Sequence, residues 1–243
     1  IIKMDKLNNY KNFEVVEIFG DHLVNTTVLK KYPVVINAGV HNGEEIEDLY
    51  NLVPELKMYA IEPSNKCFFP IKEKYEDNNI DWFNNALISE KRRTEKHKLT
   101  GTYPKLGFVD WHGGNGSTRF GYGGIQELQA HDVSNLSIYS VKGITVSRIL
   151  ELMPESTVGF FKADIEGAEY EVMMDWNKEI SNTIRQISIE YGNIQVGKNR
   201  RSHQNVRYDI VQKLETLGYY VTVHQVRVDG GSLYAIRSDD CIS

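Results

Sequence analysis

One segment near the middle of the chain constrains the fold more than any other. The apolar run at residues 158–161 (VGFF) leads directly into residues 162–169 (KADIEGAE), and an apolar-periodic stretch then extends to Trp176. This order predicts a buried strand, a tight turn at Gly167 and the start of a helix, with acidic side chains gathered at the carboxyl end of the strand. Open α/β sheets bind their ligands at that edge.

The acidic residues of this segment suggest a binding edge. Asp164 and Glu166 are two residues apart, and Glu169 follows. Like charges held this close are costly unless a cation, a ligand or water relieves the repulsion. Glu166 and Glu169 have an alternative role, because acidic side chains favour the positive N-terminal end of a helix. Asp164 should lie at the strand edge, so it is the first candidate for contacts near a reacting centre.

A second strand, turn and helix occupy residues 34–50. The strand and turn read VVINAGVHNG, and the helix opens with Glu44 and Glu45. Gly39 allows the backbone to approach a ligand closely, and Gly43 suits close packing of a helix on a strand. The pattern is not the phosphate-binding G-x-G-x-x-G, and two glutamates at the helix start would repel a pyrophosphate. A dinucleotide is therefore disfavoured, whereas a positively charged ligand is tolerated.

A third unit places an acid at the spacing that nucleoside-binding folds use. Residues 58–63 (MYAIEP) predict a strand that ends at Glu62, 23 residues after Gly39. In nucleoside-binding folds, such an acid accepts hydrogen bonds from ribose hydroxyls. The alternative is that Glu62 is only a solvated acid in a loop. Residues 80–87 predict one further strand, whose terminal amides are able to hydrogen-bond a base edge.

Length and composition place the chain among globular domains. With 243 residues and 41% hydrophobic content it can bury a full core, and we expect a cap segment at 1–30 and one domain at 31–243. The net charge of −5 argues against a nucleic-acid partner. No apolar run reaches the roughly 20 residues of a membrane span, and no signal peptide opens the chain, so we expect a cytoplasmic protein. Because the chain begins with Ile1 and not with Met, whether it is a module of a larger polypeptide stays open.

Two other segments complete the expected layout. Residues 101–122 are rich in glycine and aromatic side chains and predict a long loop, which is usually functional, with a disordered surface insertion as the alternative. Residues 184–190 predict a strand that ends in Glu190, and a helix at 205–217 stops at Gly218. Residues 219–223 and 232–236 predict a closing antiparallel pair.

Four of these segments, at 35–43, 59–63, 162–169 and 189–190, together resemble the FkbM family of S-adenosylmethionine-dependent methyltransferases. The Lys-x-Asp-x-Glu-Gly-x-Glu match is the specific part. The resemblance implies an α/β, Rossmann-like class I methyltransferase fold: seven mostly parallel strands, an antiparallel last strand and helices on both faces. It also implies O-methylation of small molecules or glycans. The family usually has Asp where this chain has Asn37, so a carboxylate near the methionine end of the cofactor is missing.

The resemblance and the residue patterns together define a candidate site. S-adenosylmethionine should lie along the turn at Asn37–Gly43. Its ribose hydroxyls should contact Glu62, and its adenine should lie near Asn85 and Ala86. The candidate cofactor residues are Asn37, Ala38, Gly39, Val40, His41, Gly43, Glu62, Pro63, Asn85, Ala86 and Asp164. The acceptor is expected to be a sugar or glycan hydroxyl held by the 101–122 loop. The candidate acceptor residues are Trp111, His112, Ser117 and Tyr122.

The acceptor hydroxyl must lose a proton during methyl transfer. Asp164 and Glu190 end strands that should be neighbours, and Glu166 and His203 (in a loop after the Glu190 strand) are further candidates near the same edge. Lys162 should share a strand face with Asp164, so it either touches the acceptor or forms a structural ion pair. A divalent ion on Asp164 and Glu190 is the alternative route. The metal-free route is favoured, because no compact ligand spacing is visible and the lysine already supplies positive charge.

Two rival functions remain open at this point. A nonenzymatic nucleoside-binding module that retained the fold is favoured by Asn37 alone. A nucleotide-dependent oxidoreductase is disfavoured by the glycine pattern and by the acidic helix start.

Overall fold

The computed structural model describes residues 14–18, 22–94, 106–110, 116–117, 137–192, 194–196, 199–228 and 230–241. In chain order the elements are β1 (Val15–Ile18), β2 (His22–Asn25), α1 (Thr26–Lys31), β3 (Val34–Ala38), α2 (Glu44–Leu52), β4 (Lys57–Ile61), α3 (Asn65–Lys74), β5 (Ile80–Phe83), β6 (Asn85–Leu87), α4 (Glu90–Thr94), β7 (Leu106–Asp110), β8 (Gly116–Ser117), β9 (Ser137–Ile144), α5 (Val146–Leu152), β10 (Phe160–Ala163), α6 (Glu169–Met174), α7 (Lys178–Thr183), β11 (Gln186–Gly192), β12 (Ile194–Val196), β13 (Asn199–Arg201), α8 (His203–Thr216), β14 (Tyr219–Val226), β15 (Gly230–Arg237) and a 3₁₀-helix (Ser238–Asp240).

A seven-stranded sheet forms the centre, in the order β14-β15-β11-β10-β3-β4-β5. The five strands from β11 to β5 are parallel to one another. β15, the last strand in sequence, runs antiparallel to both of its neighbours. The expected sheet, mostly parallel with an antiparallel last strand, is therefore confirmed.

The central strands are buried on both faces, which explains why they appear as continuous apolar runs in the sequence. Val35 and Phe160 contribute to the core on one face, and Ile36 and Phe161 contribute to the core on the other. The first core also receives side chains from α1, α2 and α3, namely Leu29, Ile46, Leu49 and Ile71. The second receives side chains from α5, α6, α7 and α8, namely Ile149, Val172, Ile180 and Ile210. Helices on both faces are thus also confirmed.

Residues 80–87 were predicted as one strand, and that prediction is wrong. β5 extends the central sheet beside β4, whereas β6 pairs with β9 in a separate four-stranded sheet, in the order β6-β9-β7-β8. Asn84 lies between the two, and its Nδ2 donates to the carbonyl oxygen of Glu62 at 3.1 Å. A side chain that bonds nearby backbone in this way competes with continuation of the strand.

The 101–122 segment was predicted to be a loop without secondary structure, which is also wrong in part. β7 pairs antiparallel with β9, and β8 pairs antiparallel with β7. Pairing of residues this far apart in sequence leaves no local pattern from which it could be predicted.

The N-terminal hairpin of β1 and β2 packs on the central sheet through β11. The backbone N–H of Asn25 donates to Gln186 Oε1 at 2.7 Å, and Gln186 Nε2 donates back to the Asn25 carbonyl at 3.1 Å. The expected boundary at residue 30 falls inside α1, which ends at Lys31. The division into a cap segment and a domain stays a prediction. Across the described ranges, no helix has the length and apolar character needed to cross a membrane.

Candidate active site

The turn after β3 is held in a left-handed conformation at three positions. Gly39, His41 and Gly43 have φ angles of 78°, 50° and 75°. A Cβ at Gly39 would lie 1.7 Å from the carbonyl oxygen of Asp164, so glycine is required by the neighbouring strand end as well as by the φ angle. Gly43 packs against Tyr75 and Ile71 of the adjacent helix segment, where a Cβ would meet their side chains at 3.1–3.3 Å. The turn therefore lies directly beside the end of β10.

Glu62 follows β4, and its carboxylate links the turn after β3 to the N-terminal end of α3. Its Oε2 accepts the backbone N–H of His41 at 2.9 Å, and its Oε1 accepts the backbone N–H of Ser64 at 2.7 Å. Burial raises the pKa of this carboxyl, against the lowering effect of these two hydrogen bonds. Each carboxylate oxygen retains a second lone pair. Glu62 is thus suited to accept ribose hydroxyls while it also anchors the glycine turn.

Lys162 is enclosed at the centre of the sheet. Its Nζ donates to the Gly39 carbonyl at 2.7 Å and to Glu45 Oε1 at 3.0 Å. Asn37 Nδ2 donates to the same Glu45 oxygen at 3.2 Å, and Asn37 Oδ1 has no hydrogen-bond partner among the residues that the structure describes. Of the two roles expected for Lys162, the ion pair is the one that the contacts display.

An acidic edge forms beside the carboxyl end of β10. The strands β10 and β11 are parallel neighbours, as expected, and Asp164 and Glu190 directly follow their last paired residues. The prediction that the second strand ends at Glu190 is wrong, because β11 continues to Gly192 through its pairing with β15. Burial, Asp164, Glu169 and Glu166, in that order, raise the pKa of Glu190 to about 9, although Arg227 Nη1 lies 2.8 Å from Glu190 Oε1 and favours the ionised form. Two carboxyl groups this close cannot both ionise readily at neutral pH.

The two glutamates of the turn differ in role. Glu166 is exposed and has a φ of 53°, which places it on the tight turn. Glu169 is buried, and its Oε1 accepts the backbone N–H of Ile165 at 2.6 Å. Glu169 therefore serves the turn itself, which agrees with its alternative role at the start of a helix.

His203 was placed in a loop, and that prediction is wrong. It is the first residue of α8, because the Ser202 side chain accepts the backbone N–H of Asn205 and caps the helix. Among the expected adenine contacts, Ala86 is buried and Asn85 Nδ2 donates to the Lys142 carbonyl at 3.3 Å. Of the expected acceptor residues, Trp111, His112 and Tyr122 lie outside the described residues, and Ser117 is placed in β8 by its backbone alone.

Three residues near the site were not predicted from sequence: Glu45, His22 and Arg227. Glu45 lies one helical turn before the buried Leu49 on α2. A carboxylate at a helix position that faces the core could therefore have been recognised from the sequence as a buried charge. His22 Nδ1 lies 3.0 Å from Ser188 Oγ. Burial and the charge of Lys162 lower the pKa of His22 to about 3, although Asp164 opposes this shift, so the ring is neutral. Nothing local in the sequence indicated the roles of His22 or Arg227.

These residues fit a nucleoside that carries a positive charge. The glycine turn, the buried acid after the next strand and the acidic edge meet at one end of the sheet, while Glu44 and Glu45 at the start of α2 disfavour a pyrophosphate. Within the described part of the chain, no group of three or more His, Cys, Asp or Glu side chains is arranged to hold a metal ion.

The sheet order is that of the expected class I, Rossmann-like fold, and open α/β sheets of this kind bind their ligands at this edge. The chain belongs to the FkbM methyltransferase family, because the family profile described as the methyltransferase FkbM domain matches residues 37–221, more than half of its length. None of the curated proteins matches the chain.

Several solved structures are similar to the chain at low identity. The precorrin-6y C5,15-methyltransferase of Geobacter metallireducens GS-15 is 11% identical over 88% of this chain and 85% of its own, with a TM-score of 0.43. The FkbM methyltransferase of Methylobacillus flagellatus KT is 13% identical over 84% of this chain and 43% of its own, with a TM-score of 0.46. A SAM-dependent methyltransferase of Aquifex aeolicus is 14% identical over 86% of this chain and 87% of its own, with a TM-score of 0.39. The family match, and not these likenesses, identifies the chain.

Proposed function

We propose that the protein transfers a methyl group to a hydroxyl of a sugar, a glycan or a glycosylated small molecule. The observation that carries this proposal is the pair of carboxyl groups, Asp164 and Glu190, which directly follow the last paired residues of two adjacent parallel strands. A hydroxyl acceptor has to lose a proton, and a carboxylate at this edge is a group that can accept it. A phosphate-bearing acceptor would be repelled by the same edge.

S-adenosylmethionine, when bound, supplies an electrophilic methyl group on a positively charged sulfur. Asn37–Gly43 would hold its methionine end, Glu62 and Pro63 its ribose, and Asn85 with Ala86 its adenine. The carboxylate of Glu62 has the best support among these roles, because two backbone amides fix its orientation. Fixed orientation matters here, since methyl transfer depends on the alignment of the acceptor oxygen with the methyl carbon.

The proton of the acceptor hydroxyl would pass to the carboxyl pair. Below about pH 9 the Glu190 carboxyl holds a proton, because its pKa is raised to about 9 by burial and by its acidic neighbours. Asp164 is then the group of the pair that accepts the proton of the acceptor hydroxyl. Glu166 and His203 stay candidates for accepting it, and a divalent ion on Asp164 and Glu190, which would lower the pKa of the hydroxyl, stays the competing route.

The acceptor is proposed to lie against the 101–122 segment, through Trp111, His112, Ser117 and Tyr122. The support for this is the glycine and aromatic content of the segment, since aromatic rings pack well on sugars. Trp111→Ala and His112→Ala should reduce methyl transfer at a given acceptor concentration and leave cofactor affinity unchanged. Equal losses for both ligands would mean that the segment has a structural role only.

The testing experiment has a binding step and a transfer step. Calorimetric titration with S-adenosylmethionine and, separately, with NAD should show binding of the first alone. Transfer of a labelled methyl group is then measured on sugars, glycosides, proteins and nucleic acids. Activity on proteins or nucleic acids and on no sugar would refute the proposed acceptor.

A nonenzymatic nucleoside-binding module is the second candidate, and Asn37 favours it. Cofactor binding without transfer to any acceptor would support that function. The cytoplasmic location, the exclusion of nucleic acid and membership of a larger polypeptide stay predictions.

A further inference from the structure

Three buried polar side chains meet beside the glycine turn: Asn37 on β3, Glu45 on α2 and Lys162 on β10. Asn37 and Lys162 are register partners on neighbouring parallel strands. Both donate to Glu45 Oε1, at 3.2 Å and 3.0 Å. The side chains of Lys162 and Glu45 are only 4% and 2% exposed, so water and salt screen this pair very little.

The same ammonium group also contacts the backbone of the turn. Lys162 Nζ donates to the carbonyl oxygen of Gly39 at 2.7 Å, at a residue whose φ is 78°. The turn is held from other directions by His41 N–H on Glu62 and by Gly43 N–H on the Val40 carbonyl, at 2.9 Å and 2.8 Å. Lys162 is the only charged side chain among these contacts that reaches a carbonyl of the turn.

The charge of Lys162 is fixed by its surroundings. Burial lowers the pKa of Lys162, but the charges of Glu45 and Asp164 raise it further than burial lowers it, so the net shift is upward. A lysine with a raised pKa is a cation at neutral pH and cannot accept a proton from an acceptor hydroxyl. Buried ion pairs also contribute little net stability compared with apolar packing. Neither proton transfer nor stability therefore accounts for the ion pair of Lys162 and Glu45. Its contact with the Gly39 carbonyl instead gives it a role in holding the turn.

We propose that Lys162 is a positioning residue, which fixes the glycine turn for the cofactor through the Gly39 carbonyl, with Glu45 and Asn37 holding its ammonium in place. The proposal rests on the proposed function in one respect, since it takes the turn to be the cofactor contact. In this role Lys162 does not contact the acceptor. Its effect on methyl transfer passes entirely through the shape of the turn.

The first experiment needs no cofactor. Amide hydrogen exchange of Gly39, His41 and Gly43 is measured in the cofactor-free parent, Lys162→Met and Glu45→Gln. Both variants should speed exchange at these amides about ten- to a hundredfold, as expected for loss of a charge-assisted hydrogen bond. Glu45→Gln keeps the size of the side chain and serves as the milder variant if Lys162→Met does not fold.

A second buried ion pair supplies the matched control. Arg185 Nε lies 2.6 Å from Asp240 Oδ2, with side chains 13% and 6% exposed, and Arg185 Nη2 lies 3.0 Å from Asp239 Oδ2. This pair lies before the amino end of β11 and so at the opposite edge of the sheet. Asp240→Asn should lower the unfolding midpoint in the same way as Glu45→Gln but leave exchange in the glycine turn as in the parent. If Asp240→Asn loosens the turn equally, the effect of Glu45→Gln is a general loss of stability and the proposal fails.

The second experiment moves the carboxylate. Asn37→Asp combined with Glu45→Gln keeps the net charge and places a carboxylate on the register partner of Lys162. S-adenosylmethionine affinity should fall about tenfold or more in Lys162→Met and Glu45→Gln, and most of it should return in the double variant. Unchanged exchange in both single variants, or a double variant no better than Glu45→Gln, would overturn the proposal. If exchange in the turn rises as expected but the parent binds no S-adenosylmethionine, the positioning role stands and the proposed function fails.

Discussion

Replacement of Glu62 by alanine tests the junction between the glycine turn and β4. The substitution removes the carboxylate oxygens that accept the backbone N–H groups of His41 and Ser64. An unsatisfied buried donor costs about 1–3 kcal/mol, so the buried Ser64 donor and the partly buried His41 donor would together cost at most roughly 6 kcal/mol. Part of this loss is offset, because the raised pKa of Glu62 shows that the buried carboxylate is itself poorly solvated. We therefore expect the free energy of unfolding to fall by about 2–4 kcal/mol.

The measurement is urea unfolding at pH 7, followed by tryptophan fluorescence and circular dichroism. Glu62→Gln retains one amide oxygen as an acceptor and should lose about half as much stability as Glu62→Ala. Glu47→Ala is the matched control, because Glu47 is an exposed acid that also accepts two hydrogen bonds, from Lys74 and Tyr75. Its loss should have little effect, since exposed pairs contribute little.

The same variants separate the structural role of Glu62 from its cofactor role. If Glu62→Ala is as stable as the parent protein, the carboxylate does not anchor the turn and the reasoning from its two hydrogen bonds is refuted. If stability falls as expected, cofactor affinity should also fall about ten- to a hundredfold, the loss expected for one charge-assisted pair of hydrogen bonds. Unchanged affinity in that case would refute the ribose assignment alone.

Three further predictions concern the titrating groups and metal dependence. Because the folded-state pKa of Glu190 is raised from 4.5 to about 9, the folded protein binds this proton more tightly than the unfolded chain, and its stability should decrease as pH rises through that window. Glu190→Gln should flatten this dependence in urea unfolding at pH 5, 7 and 9, and an unchanged slope would contradict the raised pKa. The pKa of His22 is lowered from 6.5 to about 3, so the unfolded chain binds the extra proton and stability should be lost as pH falls below about 6.5. His22→Gln should retain more of its own stability at pH 5 than the parent does, and an equal loss in both would contradict the buried neutral ring. Methyl transfer should proceed fully in excess EDTA, whereas abolition with recovery on Mg²⁺ or Mn²⁺ would make Asp164 and Glu190 the metal ligands.

The sequence predicted the parts of the fold whose pattern is local. The central strands appear as apolar runs because a parallel sheet buries both of their faces, and the acids that follow them mark its carboxyl edge. The break at Asn84 was missed, since it depends on a side-chain bond to a carbonyl 22 residues earlier. The pairing of β7 with β9 was missed for the same reason, because partners so distant in sequence share no period.

The candidate site was predictable in outline but not in its connections. Glu62 and Asp164 follow strands at recognisable spacings, so their place at one edge could be expected. The ion pair of Lys162 joins residues 117 positions apart, and its partner Glu45 was seen only as a charge at a helix start. His22 comes from a segment whose own sequence carries no sign of a role, and only its packing on Ser188 brings it near the site.

The acidic edge poses a problem for methyl transfer that the proton on Glu190 helps to solve. Under the proposed function, the positive charge on sulfur disappears as the methyl group moves to the acceptor oxygen. A cluster of fully ionised carboxylates would stabilise the charged cofactor more than the transition state, and such ground-state stabilisation raises the barrier. The proton that Glu190 holds at neutral pH, together with the guanidinium of Arg227 beside it, reduces the negative charge at this edge. The edge therefore remains acidic enough to attract a cation and to take up a proton, without holding the cation so strongly that its charge cannot be lost.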